Sequence, residues 1–255
     1  MAPKITVHWL EDSRAQRILW LLEEVSLASS PSLVLPANRA FVLTQLGLDY
    51  EVKRYSRDPK TLLAPKELAD VHPLGKSPVV TIVEDGKTLT LAESGAIVEF
   101  IVERYGEQLG VPASSSDIQA RADYLYWLHW AEGSGMLPLM FSIIFAQLPK
   151  QGPWLAKPLL NAVAGGAMGQ FVLPRLRENF GFVEKSLAGK DYFAGGKLTG
   201  ADVMMSFIAE GLEASPLPND KYPNIFRWYN SVLARSAYKK ALEKGGKNDL
   251  GRFTR

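Results

Sequence analysis

The feature that most restricts the fold is the order of hydrophobic patterns in the first 55 residues: a strand, an amphipathic helix and a second strand. "KITVHWL" (4–10) has the apolar character of a buried strand, and apolar residues then recur at helical spacing from Ala15 to Leu22. "YEVKRY" (50–55) is the second strand. Because a helix joins the two strands, we expect them to pair in parallel.

A hairpin and a further helix complete this first unit. In "PVVTIVEDGKTLTLAES", residues 79–83 and 88–91 are predicted strands, and Asp85-Gly86 is a two-residue turn signal. A helical pattern starts at Ser94 and continues to about Gly106. The predicted order is therefore β-α-β-(α)-β-β-α, with a weakly helical segment before the hairpin.

"GEQLGVPASSSD" (106–117) is a short polar stretch with Gly, Pro and Ser, and it predicts a domain boundary. Beyond it the strand patterns stop, which predicts an all-helical domain over 117–255. Thr199-x-x-Asp202 has the spacing of a capping box, and "YPNIFRWYNSVLARSAYKKAL" is a predicted last long helix.

Composition excludes several kinds of function. The chain has no cysteine, which excludes disulfide scaffolds, thiolate metal sites and cysteine nucleophiles, and its three histidines lie far apart, so no metal is predicted. A net charge of +2 gives no reason to expect a nucleic-acid partner. The apolar stretch 136–149 is too short to span a membrane and 155–174 is interrupted by polar residues, so we predict a cytoplasmic protein without a membrane span.

Several motifs, in order along the chain, carry a family resemblance. They are "HWLEDSRAQRILWLLEE" (8–24), "LGKSPVV" (74–80), "ES" (93–94), "LTGADVMMSF" (198–207) and the final helix. Together they resemble the glutathione transferase superfamily, in its fungal and bacterial Gtt-type branch. The resemblance implies a thioredoxin-like α/β domain with a mixed four-stranded sheet, residues 1–106, before the all-α domain. It also implies a homodimer that conjugates glutathione to hydrophobic electrophiles in detoxification, with organic hydroperoxides as a further substrate class.

The resemblance also implies a set of glutathione-binding residues. Pro78 matches a proline whose cis peptide bond orients the backbone of Ser77 toward the cysteinyl main chain of glutathione. Glu93 matches an acid that meets the ligand's ammonium, and Ser94, at a helix N-terminus, matches the site of the γ-glutamyl carboxylate. Lys76 matches a position that reaches the glycyl end. An ordinary strand-edge proline and a solvated lysine are the alternative interpretations of Pro78 and Lys76.

Ser13 is the candidate catalytic hydroxyl, because a donor beside a helix N-terminus favours the thiolate form of a bound thiol. The alternative is that Ser13 only caps the helix. For the electrophile, the first helix of the second domain offers Tyr124, Trp127 and Trp130. Such aromatic residues are more often part of a core than of a pocket.

Two questions of function stay open. The scaffold could serve as a non-catalytic binding or regulatory module, although the complete ligand set favours an enzyme. A transferase of a secondary-metabolism pathway is a further alternative, and the sequence does not distinguish it from a detoxification enzyme.

Val25–Gln45 interrupts an otherwise continuous match between "RILWLLEE" and "LGLDYEV". One interpretation is a surface loop, which is tolerated because closure entropy grows slowly with length. The other is a retained intron translated in frame, since Val-Ser can be encoded by a splice-donor sequence and a terminal Gln by CAG. Both interpretations predict a dispensable segment.

Overall fold

A computed structural model describes residues 3–28 and 48–253 of the chain. The described residues contain a four-stranded sheet built from β1 (Lys4–Leu10), β2 (Tyr50–Tyr55), β3 (Val79–Glu84) and β4 (Lys87–Ala92), in the order β2-β1-β3-β4. β1 pairs in parallel with β2, while β3 is antiparallel to both β1 and β4. The mixed four-stranded sheet of a thioredoxin-like domain is therefore confirmed.

Helices α1 (Ala15–Ala28), α2 (Glu67–Val71) and α3 (Ser94–Tyr105) accompany this sheet. Every apolar residue that the sequence assigns to the inner face of α1 is fully buried: Ala15, Ile18, Leu19 and Leu22. The β3–β4 turn has positive φ at both Asp85 (49°) and Gly86 (74°), as a primed two-residue turn requires.

The second unit is helical in its described residues. Its elements are α4 (Ile118–Trp130), α5 (Met136–Gln151), α6 (Lys157–Ala167), α7 (Leu173–Ser186), α8 (Gly200–Glu213) and α9 (Pro223–Ala234). α8 is buried along most of its length and begins with the predicted capping box, in which the Thr199 side chain and Asp202 cap each other's backbone. Wide π-helical turns at Ala131–Gly135 and Met168–Val172 join α4 to α5 and α6 to α7.

The apolar segment 136–149 lies inside a longer element than the sequence suggested. α4, the π-helical turn and α5 form one continuous helix, Ile118–Gln151, of 34 residues. By length and composition this helix could cross a membrane, and a third of its most apolar window is buried within the protein. Length therefore no longer argues against a membrane span for this segment. The core helix of a soluble protein meets the same criteria of length and composition.

The C-terminal segment differs from the predicted single long helix. α9 ends at Ala234, Arg235 is extended (φ −65°, ψ 139°), and α10 (Ser236–Gly245) follows. Residues Ala234–Asn248 group by contacts with Met1–Gly110, whereas Val111–Leu233 and Asp249–Arg255 form the other unit. Packing against α1 thus gives the first unit a helix that the sequence assigned to the second domain.

The first residues of the predicted insertion, Val25–Gln45, continue α1. α1 continues through Ala28, Val25 is fully buried, and the Ser26 hydroxyl donates to Leu22 O at 2.8 Å. The first four residues of that segment are thus part of a packed helix. The remainder, 29–45, lies outside the described residues.

Candidate active site

One cavity of about 100 Å³ lies in the first unit, where the loop before β3 meets the end of β4 and the starts of α1 and α3. Its wall consists of Arg14, His72, Leu74, Lys76, Ser77, Pro78, Ala92, Glu93 and Ser94. Every residue that the resemblance assigns to glutathione binding is in this set. Ser13 is not.

Ser77 lines the cavity, and its side chain is bound to β1. Its hydroxyl donates to His8 O at 2.9 Å and accepts from the Leu10 N–H at 3.3 Å, which ties the loop to β1. The Ser77–Pro78 peptide bond is cis. Among the described residues, none hydrogen-bonds to the N–H or C=O of Ser77. An extended peptide ligand could pair with these two groups.

The start of α3 forms another part of the wall. Ser94 is buried, and Glu93 precedes it with φ +72°, a strained conformation for a non-glycine residue. The Glu93 carbonyl accepts the first helical bond from Ile97 N–H at 2.9 Å, so the N–H groups of the first turn have no partner within the helix. Those donors and the helix dipole suit a carboxylate, while the Glu93 side chain offers a negative charge beside them.

Basic side chains dominate the rest of the wall. Lys76 and His72 come from the segment between α2 and β3, and Arg14 comes from the turn that starts α1. Arg14 was missed by the sequence analysis, which considered only Ser13 at this turn. With Glu93 as the only acidic residue of the wall, the cavity suits an anionic ligand that also carries an ammonium group.

Ser13 is occupied as a helix-capping residue. Its hydroxyl donates its single proton to Leu10 O at 2.6 Å and accepts from the Ala15 N–H at 3.2 Å, and the residue is only 6% exposed. This geometry supports the capping interpretation. Donation to a ligand thiol would require the hydroxyl to leave Leu10 O.

Arg57 holds the turn that carries Ser13 and Arg14. Its Nε donates to Glu11 O at 3.0 Å and its Nη2 to Asp12 O at 3.2 Å, while its backbone N–H donates to Glu11 Oε1 at 2.9 Å. Asp12 itself has φ +50°. No pattern in the sequence indicated this contact, because Arg57 follows β2 and the turn follows β1.

The predicted electrophile residues lie in the core of the second unit. Tyr124, Trp127 and Trp130 are 2%, 5% and 8% exposed. Trp127 stacks on Phe182 with ring centroids 5.5 Å apart and meets Phe193 at 4.8 Å. Side chains so fully packed stabilise the unit and leave little surface for a ligand.

His8 has a structural role in the sheet. Its ring nitrogens lie 2.9 Å from the Tyr55 hydroxyl and 3.1 Å from Thr81 Oγ1, so it links β1 to both neighbouring strands. Burial, assisted by the positive charge of Lys53, lowers the pKa of His8 and favours the neutral ring. Within 3–28 and 48–253, no group of three or more His, Asp or Glu residues could hold a metal ion.

Comparison with known proteins agrees with this geometry. The glutathione S-transferase N-terminal domain model matches residues 37–104, and the C-terminal domain model matches 166–236. The N-terminal match begins inside the predicted insertion. Glutathione S-transferase 1 of Saccharomyces cerevisiae is 32% identical over 95% of both chains. Glutathione S-transferase 3 of Schizosaccharomyces pombe is 30% identical over 98% of this chain and 91% of its own.

Solved structures show the same relationship. A glutathione S-transferase from Actinobacillus pleuropneumoniae is 32% identical, with a TM-score of 0.66 over 98% of this chain and 96% of its own. A glutathione transferase homologue from Sulfitobacter with bound glutathione has a TM-score of 0.67 over 97% of this chain and all of its own, but at 15% identity it shows the fold alone. On these sequence relatives, the chain belongs to the glutathione S-transferase family.

Proposed function

We propose that the cavity of the first unit binds glutathione and that the protein transfers the glutathione thiolate to hydrophobic electrophiles. The observation that carries this proposal is the convergence of Lys76, Ser77, Pro78, Glu93 and Ser94 on one cavity wall. These residues come from two separate stretches of chain, and glutathione offers a partner for each kind of group that they present.

The tripeptide would lie extended across the wall. Its cysteinyl main chain pairs with the N–H and C=O of Ser77. Its γ-glutamyl carboxylate meets the first turn of α3 at Ser94, and its ammonium meets Glu93. Its glycyl carboxylate lies toward the ammonium of Lys76, and the imidazole of His72 lines the same cavity.

Arg14 is the residue that we propose to stabilise the thiolate. It comes from the start of α1 and lines the cavity, and a guanidinium cation lowers the pKa of a neighbouring thiol, whose usual value is about 8.5. In the reaction the sulfur attacks an electrophilic carbon and a C–S bond forms. With a chloronitroaromatic acceptor the C–Cl bond breaks, chloride leaves, and the thiol proton has already passed to solvent.

Calorimetric titration with glutathione tests the binding mode. Glu93→Gln should weaken binding by about tenfold to a hundredfold, since it removes a charge-assisted hydrogen bond to the ammonium. Glu103→Gln is the matched control, because Glu103 is an exposed acid on the same helix and is not in the cavity wall. Equal affinities of the two variants would contradict the proposed orientation.

Ser13 and Arg14 can be separated by titrating the thiolate absorbance of bound glutathione. We expect Arg14→Gln to raise the pKa of the bound thiol and to lower kcat for a chloronitroaromatic, and we expect a smaller effect from Ser13→Ala. If Ser13→Ala raises the thiol pKa more, the serine is the stabilising donor and its hydroxyl must turn from Leu10 O in the complex.

Purified protein that binds glutathione without conjugating a chloronitroaromatic or any related electrophile would favour a non-catalytic binding module. Turnover of an organic hydroperoxide with two glutathione molecules, yielding the disulfide, the alcohol and water, would establish the peroxidase activity. The proposed homodimer is tested by light scattering, and the proposed cytoplasmic location by cell fractionation. A pathway-specific role would appear as a strong preference for one acceptor.

A further inference from the structure

Exposed apolar residues accumulate on the second half of α5, on α6 and on the turn between these two contacting helices of the second unit. The members of this group are large apolar residues that are at least half exposed: Ile144 (51%), Trp154 (76%), Leu155 (74%), Leu159 (67%) and Val163 (51%). We call this set the hairpin face. The other five tryptophans of the chain are at most 8% exposed, so Trp154 stands apart from its own residue type. Clusters of exposed apolar residues mark interaction sites, whereas scattered ones do not.

The stretch of sequence that carries the hairpin face contains cations and no acids. From Gly133 through Arg177 the sequence contains no Asp or Glu. Lys150 and Lys157 flank Trp154 on either side, and both are exposed. Since the whole chain has a net charge of only +2, this acid-free stretch concentrates positive charge beside an apolar surface.

We propose that the hairpin face binds the surface of an anionic lipid membrane. Tryptophan favours the boundary between headgroups and acyl chains, where its ring is apolar and its N–H remains hydrated. Leu155, Leu159 and Val163 then enter the outer acyl region, while Lys150 and Lys157 contact lipid phosphates. The apolar hairpin face and these two lysines supply the two signals that membrane attachment needs.

A membrane surface fits the charges better than a second copy of the chain. A two-fold interface would bring the same face of both copies together, and the exposed Lys157 of each copy would meet a face whose sequence has no acid from Gly133 through Arg177. An anionic surface attracts those lysines instead.

The hairpin face lies on the membrane and does not cross it. Met136 and Leu139, in the N-terminal half of α5, are buried in the second unit at 8% and 4% exposure. Exposing these residues to lipid would dismantle the core that they form.

The test is flotation of the full chain with vesicles of phosphatidylcholine alone and of a two-to-one mixture of phosphatidylcholine and phosphatidylserine. We expect binding to the mixture, weakened by salt, and little binding to phosphatidylcholine. Brominated lipid should quench the tryptophan emission on binding, because Trp154 is the exposed tryptophan. Absence of binding to the anionic vesicles, or binding without quenching, would overturn the proposal.

Two double variants test whether the lysines and the apolar residues of the hairpin face bind the vesicles. Lys150→Gln with Lys157→Gln should weaken binding to the mixed vesicles by about 25-fold. Trp154→Ser with Leu155→Ser should abolish it. Ile118→Ser is the matched control, since Ile118 is 80% exposed in the same unit but outside the hairpin face, and it should bind as the unchanged chain does. All variants should keep their far-ultraviolet circular dichroism.

Two results would show that the hairpin face is not a lipid-binding surface. One is equal vesicle binding by all the variants. The other is a change of mass by light scattering in the Trp154→Ser, Leu155→Ser variant, which would identify the face as an interface between copies of the chain.

Discussion

Buried carboxylates are stabilised differently in the two units. In the first unit, adjacent Glu23 and Glu24 of α1 are 5% and 6% exposed, and each meets a cation from the C-terminal segment. Glu23 Oε1 lies 2.7 Å from Lys244 Nζ, and Arg235 Nη2 donates to Glu24 Oε2 at 2.8 Å. Glu24 and Arg235 are 211 positions apart, so these ion pairs attach the last helix to the first.

Asp202 of the second unit is fully buried and is stabilised by neutral donors. It accepts from the Thr199 N–H (2.9 Å), the Thr199 hydroxyl (3.0 Å), the Phe193 N–H (3.2 Å) and Trp228 Nε1 (3.1 Å). Burial raises the pKa of Asp202 to about 6, against the opposing effect of these hydrogen bonds. The comparison shows that a carboxylate serving as a local cap can be read from sequence spacing, whereas one paired across the chain cannot.

The largest effect is expected at Asp202. Asp202→Ala leaves the donors of Thr199, Phe193 and Trp228 without their acceptor in a dry core, and should lower the free energy of unfolding by about 3–5 kcal/mol. Urea unfolding measures it. Asp202→Asn keeps one acceptor oxygen and should cost about half as much. If both substitutions lower the free energy of unfolding by less than removal of the Glu24 ion pair does, the neutral donors around Asp202 stabilise the fold less than that ion pair.

Stability should also depend on pH through Asp202. Since the folded pKa of about 6 exceeds the ordinary 3.8, the folded state binds more protons than the unfolded state between these values. The free energy of unfolding should therefore be higher at pH 4 than at pH 7, falling through this window by up to about 3 kcal/mol. Comparing the pH dependence with that of Asp202→Asn isolates this carboxyl. An identical slope in the variant would contradict the raised pKa.

The free energy of unfolding should fall by different amounts when either partner of the Glu24–Arg235 ion pair is replaced. Arg235→Gln leaves a carboxylate that is 6% exposed without its cation, and should cost about 2–3 kcal/mol. Glu24→Gln leaves Arg235, whose side chain is 35% exposed and can reach water, so about 1 kcal/mol is expected. Arg104→Gln, which unpairs the more exposed Glu84, is a surface control that should cost less than about 1 kcal/mol. Equal losses for all three would remove burial as the explanation.

The contact of α10 with α1 can be tested at a glycine. A Cβ on Gly245 would lie 2.5 Å from Gln16 Oε1 and 3.0 Å from Trp9 Nε1, whose mutual hydrogen bond it would disturb. Gly245→Ala should therefore destabilise the protein by about 1–2 kcal/mol. Gly165→Ala in α6 of the second unit has no neighbour within 4 Å, and should stabilise it by about 0.5–1 kcal/mol. Chemical unfolding of both variants gives the sign of each effect.

The smallest effect is expected from shortening the chain between α1 and β2. The Ser26 hydroxyl lies 3.5 Å from Leu48 O, so the two ends can be joined by a short linker in place of 30–46. The free energy of unfolding should change by less than about 1 kcal/mol, with glutathione binding unchanged. A deletion that starts at Val25 removes a buried residue and should be clearly worse. A large loss from the shorter deletion would show that the segment is structural.

Sequence alone brought Lys76, Ser77, Pro78, Glu93 and Ser94 into one proposed site, because each lies beside a strand or helix end with a local signal, and these five residues line one cavity. The proline after Ser77 and the acid-serine pair before α3 are examples. Ser13 could not be judged in the same way. Whether its hydroxyl donates to a ligand or to Leu10 O depends on the geometry of the turn. Arg57, far along the chain, holds that turn through hydrogen bonds.

The sequence by itself determined the order of strands and helices from β1 to α3, the primed turn at Asp85-Gly86, the capping box at Thr199 and the family. Each of these depends on residues within one element or one turn. Only the tertiary structure decided that α10 packs on α1, that Arg14 lines the cavity while Ser13 does not, and that Tyr124, Trp127 and Trp130 form a core. These outcomes depend on which surfaces meet after folding. Glu24 and Arg235, for example, are 211 positions apart, and no periodic or local sequence pattern predicts their contact.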